Sequence, residues 1–146
     1  MRWTELEKQE YYRLLGTAEA SKLAQRALDL SLTEEVPITL RTLLISSVAG
    51  NHPDLAANFA IAHWDDVTPL LEADSQSQFV PRLASGSSDP QMMMRLRAFA
   101  AGHIPASANR ALEVAVGRIR YNAQIATHLP DIDRWVASAP GRLEAP

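Results

Sequence analysis

His63, Asp65 and Asp66 stand within four residues of one another in the run NFAIAHWDDV (58–67). An imidazole beside two carboxylates is the raw material of a metal site or of general-base chemistry. A helix-borne zinc site asks for more. It needs two histidines four residues apart with a glutamate after the first, so that both imidazoles face one ion and the carboxylate works on its water. The four histidines, His52, His63, His103 and His128, are never closer than eleven residues, and no third ligand stands near His63. The chain has no cysteine, which removes thiolate zinc sites, disulfides and a cysteine nucleophile. The stretch ASGSS lacks the glycine spacing of a serine nucleophile elbow, and Gly86 and Gly102 stand alone, so no phosphate-cradling loop is present. The reading for these residues is structural: each histidine at a helix end against its negative pole, Asp65 and Asp66 in a first helical turn, and Trp64 packed into a helix–helix corner. No catalytic or metal-binding residue is assigned to the chain.

The elements that carry these residues follow from periodicity. Of 146 residues, 47% are hydrophobic and only six are glycine, which describes one folded domain over residues 1–146 with a real core. Apolar residues recur at helical spacing, as in Leu23, Ala27 and Leu30 or Leu112, Ala115, Val116, Ile119 and Ala126. Prolines and glycines punctuate that pattern too often for a long-helix bundle. The spacing predicts helices over 5–15, 18–32, 37–49, 53–62, 64–72, 78–84, 90–101, 107–129 and 131–137, with Pro130 as a break. Asp89 before Pro90, Thr17 and Ser107 are the expected side-chain caps. The predicted fold is all-α, an irregular α-solenoid of antiparallel helix pairs in a HEAT- or armadillo-like superhelix. In the last long helix Leu112, Ala115, Ile119 and Ala126 form one apolar stripe, and Val114, Tyr121 and Ile125 form a second. A helix apolar on two sides is expected to sit between neighbours. The run Met92–Met94 reads as adaptable core packing at the start of a helix.

A net charge of −3 and a pI near 5.8 give no general attraction to phosphate backbones, so nucleic acid is not an expected partner. No apolar run reaches the roughly 20 residues of a membrane span, and MRWTELEKQEYYR is too charged for a signal peptide. The expectation is a soluble, cytoplasmic chain, with a cysteine-free composition that suits the periplasm equally.

Three stretches carry a resemblance: LLGTAEASKLAQRALDLSL with EVP after it, SSVAGNHPDLAANFAIAHWDDVTPLL, and ALEVAVGRIRYNAQIATHLPDIDRWV. Together they resemble the C-terminal helical domain of the puromycin-sensitive-type zinc aminopeptidases, the family of aminopeptidase N and the endoplasmic-reticulum aminopeptidases. The matching features run in order along the chain: Leu14 to Leu32, Pro37, Gly50 with Asn51, His63 with Trp64, then Glu113, Ile119, Asn122 and Trp135. His63 stands where that family more often has asparagine. The family's zinc-binding helix motif and its Gly-x-Met-Glu-Asn exopeptidase motif are both missing from the chain.

The resemblance implies the C-terminal part of a larger peptidase, inert alone, that encloses the active-site cavity and shapes the access of peptide substrates. Zinc would sit in the parent catalytic domain and no cofactor in this chain. The implied partners are that catalytic domain and peptide substrates. The alternative is a stand-alone helical-repeat scaffold that binds a protein or peptide on its concave face. An isolated solenoid piece exposes an end that normally packs on the next repeat, so self-association is also expected. Between residues 91 and 129, Arg95, Arg97, Arg110, Arg118 and Arg120 face one acid, Glu113. Arg118 lies beside the second stripe, so a guanidinium there would project into an enclosed cavity and pair with a peptide carboxylate. Tyr121 and Asn122 complete the substrate-cavity candidates.

Overall fold

The computed structural model describes residues 2–139, and all of its regular structure is helical. The elements are α1 (Glu5–Leu15), α2 (Ser21–Ser31), α3 (Ile38–Asn51), α4 (Pro53–Ala62), α5 (Trp64–Val67), α6 (Ala73–Gln76), α7 (Phe79–Ala84), α8 (Pro90–His103) and α9 (Arg110–Ala137), with 3₁₀ turns at Thr68–Leu70 and Ala106–Ala108. No strand occurs among the described residues.

Local chemistry accounts for several of these boundaries. Thr4 opens α1 with a capping box: its hydroxyl accepts from the Glu7 amide at 3.2 Å, and the Glu7 carboxylate accepts from the Thr4 amide at 2.8 Å. Pro53 opens α4 at a position where its missing N–H costs nothing. Asp89 caps α8 by accepting from the Gln91 amide at 2.9 Å, as the Asp-Pro pair predicts. The other two expected caps act differently. Thr17 donates its hydroxyl to the Leu14 carbonyl at 2.7 Å, and Ser107 falls within the 3₁₀ turn before α9.

The buried positions repeat the helical period read from the sequence. Ala24, Ala27, Leu28 and Ser31 of α2 face Leu40, Leu44, Ile45 and Val48 of α3, and α4 adds Ala56, Ala57, Phe59 and Ala60. Small residues let α4 approach α3 and α7 closely. Contacts run in succession, α1 to α3, α3 to α7 and α7 to α9, while α2 touches both α3 and α4, and α8 touches both α7 and α9. One cluster of buried side chains extends along this order from Ala24 to Ile119. Gly16 marks the closest approach. A Cβ there would overlap the Ser47 hydroxyl and meet the Val48 amide nitrogen at 3.0 Å, so only glycine lets the α1–α2 turn lie on α3.

The expected break at Pro130 is not a break. Helix α9 is continuous through it to Ala137. Proline ends a helix where the orphaned carbonyl four residues earlier would be buried. Pro130 and its neighbours are exposed, so water can take that partner's place. The second correction concerns the same helix. Leu112, Ala115, Val116 and Ile119 are buried as expected, but Val114, Tyr121 and Ile125 are exposed, so α9 has neighbours on one side only among the described residues. The short helix α6 falls in a stretch with no predicted element, where four residues carry too few apolar positions for periodicity to register.

Candidate functional site

The polar residues near α9 divide into a groove and a knot. The groove lies between α7 and α9 and encloses about 650 Å³. Arg82 from α7 and Arg110 and Arg118 from α9 line it, over an apolar floor that includes Pro81, Val114 and Ala115. None of its lining residues is acidic. Arg82 is held in place: its Nη2 donates to Gln78 Oε1 at 2.6 Å, and Gln78 Nε2 donates to the Asp74 carbonyl at 3.1 Å. Three guanidiniums on an apolar floor suit a carboxylate or phosphate oxygen, because each offers paired N–H donors in a fixed plane.

The knot lies behind the groove, where residues 85–89 connect α7 to α8. Ser87 is buried, and its hydroxyl donates to Asp54 Oδ1 of α4 and accepts from the Asp89 amide at 3.0 Å. Asn122 of α9 then donates its side-chain amide to the Ser85 and Ser87 carbonyls, at 3.2 and 3.1 Å. Three segments distant in sequence are thereby tied at one point, and no buried side-chain donor or acceptor among the described residues lacks a partner.

The three candidate cavity residues therefore have three different settings. Arg118 lines the groove. Tyr121, one turn further on, is exposed and lies outside the groove lining. Asn122 has both amide protons committed to the connecting loop. Arg82 was not among the candidates. It sits in a short helix, FVPRLA, with no charge pattern of its own, and only the packing of α7 on α9 brings it near Arg118.

The histidines resolve individually. His63 Nδ1 lies 3.0 Å from the Phe59 carbonyl and its ring lies over Phe59, with centroids 4.3 Å apart. Asp65 and Asp66 occupy the first turn of α5, and Trp64 packs edge-on against Phe99 at 4.9 Å. His52 Nε2 lies 2.9 Å from the Ala18 carbonyl, tying α3 to the α1–α2 connection. His103 stacks on Phe99 at the end of α8. His128 departs from expectation, since the continuity of α9 leaves it within a helix instead of at its end. No three of His, Asp and Glu come together in a metal-binding group among the described residues. No described helix is long and apolar enough to cross a membrane.

The family model described as "ERAP1-like C-terminal domain" matches residues 4–121. No curated protein and no solved structure matches the chain.

Proposed function

The chain belongs to the family of ERAP1-like C-terminal domains, and on that premise we propose that it is the non-catalytic helical domain of a zinc aminopeptidase, walling the cavity that receives peptide substrates. The match across residues 4–121 is the observation that carries this reading. The succession of helix contacts supports an irregular, HEAT-like solenoid as its form. Zinc belongs to the catalytic domain in this reading.

The groove of Arg82, Arg110 and Arg118 is the part of that wall best suited to contact substrate. A peptide held by its amino terminus in the catalytic domain presents its carboxylate at the far end, and an acid-free arginine groove pairs with that carboxylate at close range. Tyr121 adds a phenol beyond the groove, and Asn122 acts indirectly by fixing the loop that bears Ser85 on the groove's edge. Binding energy gained far from the scissile bond then favours peptides long enough to span the cavity.

Replacing Arg118 by alanine in the full-length enzyme tests this. A lost charge-assisted hydrogen bond is worth about 1.5–3 kcal/mol, so kcat/KM on free-carboxylate peptides should fall roughly ten- to a hundredfold. Short aminoacyl amides, which do not reach the groove, should be spared. Equal losses on both substrates, or no loss on either, would remove the groove from substrate binding. The scaffold reading draws support from the apolar residues left exposed on α9. A zinc-binding helix motif upstream in the same reading frame decides between the two.

A further inference from the structure

The chain carries more acids than bases, yet no acid lines the groove between α7 and α9. Elsewhere its cations are matched: Lys8 pairs with Glu5, Arg13 with Glu10, Arg97 with Glu113 and Arg134 with Asp131. No ion pair among the described residues reaches Arg82, Arg110 or Arg118. Arg82 donates to a neutral amide oxygen, Gln78 Oε1, which positions the guanidinium and leaves its charge unmatched. Arg110 stands in the first turn of α9, where the helix dipole disfavours a cation and favours an anion opposite it.

The spread of these charges exceeds one carboxylate. Arg110, Val114 and Arg118 follow one another at intervals of four residues, so the two arginines start from backbone positions roughly 12 Å apart along the axis, with Arg82 on the α7 wall. The two oxygens of a carboxylate match one guanidinium fork. A single terminal carboxylate therefore brings one negative charge to three positive ones, whereas a terminal glutamate or aspartate brings two within one residue.

The positive charge also stops. Gln78 and Arg82 line a second cavity of about 470 Å³, beside Leu43, Leu71, Phe79 and Leu83, and Arg82 is its one charged lining residue. A compact inorganic anion would leave that cavity empty, and a polyanion such as RNA would need cations along it. What fits both cavities is a chain with a doubly negative end and an uncharged body.

We propose that the groove selects peptides whose C-terminal residue is glutamate or aspartate, the α-carboxylate and the side-chain carboxylate together meeting Arg82, Arg110 and Arg118. The proposal rests on the reading of this chain as a wall that contacts peptide substrates.

Fluorescence anisotropy on the 146-residue chain tests it with one uncharged peptide sequence, labelled at its amino terminus, in three endings: glutamate with a free carboxylate, glutamine with a free carboxylate, and glutamine with a terminal amide. The glutamate ending should bind about tenfold more tightly than the free glutamine ending. Arg82→Gln and Arg110→Gln should each bring that ratio below about threefold. Helical content should not change, because both side chains are exposed. Equal binding of the two free-carboxylate endings, with the amide weaker, would overturn the preference and leave the groove a site for one terminal carboxylate. Equal binding of all three, or binding of none up to about 1 mM, would overturn the preference and the peptide-contacting groove together. A preference that survives both substitutions would overturn it by placing the peptide elsewhere. So would inorganic phosphate that displaces the glutamate ending at the peptide's own concentration, the mark of a compact-anion site. The endings are compared on the unaltered chain, so they decide the matter even if a variant loses its helical signal. Arg118→Ala kinetics in the full-length enzyme judge the aminopeptidase reading separately.

Discussion

Ser87 shows how much one small side chain can hold. Its hydroxyl is the meeting point of α4 and the α7–α8 connection, and its carbonyl receives Asn122 from α9. Ser87→Ala leaves a carboxylate oxygen and a backbone amide without their partner, so urea unfolding should show a loss of about 1–3 kcal/mol. Asn122→Ala should cost a similar amount, and the double variant should cost less than the sum, because both act through one loop. Gly16→Ala should also destabilise, by about 1–3 kcal/mol, through the overlap with Ser47. Residues of this kind were the least legible in the sequence. The stretch SGSSDP reads as a loop, but Ser87 meets Asp54 across 33 positions and Asn122 across 35. No local pattern encodes pairings that only the packed helices create. The opposite holds for His63, where spacing alone excluded a helix-borne zinc motif and the structure gives the imidazole a backbone carbonyl and a phenyl ring.

At the scale of the element, boundaries that glycine or proline sets through the backbone were legible at α1 and α4, and the course of α9 was not. The expected bounds of α1 and α4 agree with the structure because Gly16 and Pro53 act through the backbone itself. Pro130 misleads because proline's penalty depends on whether water can reach the orphaned carbonyl, and a sequence does not print exposure. Pro130→Ala should restore one helical hydrogen bond to the Ala126 carbonyl, and amide hydrogen exchange should slow across residues 130–137, where α9 gains that bond. The first helix offers a test by pH. Hydrogen bonds from the Thr4 amide, then from its hydroxyl, hold the Glu7 carboxyl below the ordinary carboxylate range. A folded-state pKa lowered in this way contributes stability that is fully present above the unfolded value and is lost as pH falls through the folded one. Amide protection in α1 should therefore decline as the solution is acidified below the usual carboxylate range, and Thr4→Ala should weaken protection at neutral pH and flatten that decline.

On the scale of the whole molecule, the all-helical class and the buried periodicity were legible, since α2, α3 and α9 bury the residues their spacing marks. The arginine groove was legible in part. Arg110 and Arg118 stand out in a basic stretch, while Arg82 joins them only through the packing of α7 on α9. The sequence also marked the second stripe on α9 correctly but not its exposure, because amphipathicity reports that a face wants a partner without saying whether this chain supplies it. A chain ending after Gln124 keeps every buried residue and the Asn122 bonds. Its thermal midpoint by circular dichroism should stay within about 3 °C of the full chain's. The placement of the tryptophans makes the state of the core visible without a label. Of the three tryptophans, Trp64 lies in the core against Phe99, while Trp3 and Trp135 stand in water near the two ends of the chain. Unfolding must redden the fluorescence of Trp64, while Trp3 and Trp135, already in water, must keep their colour, so a shift of the emitted light reports the core alone.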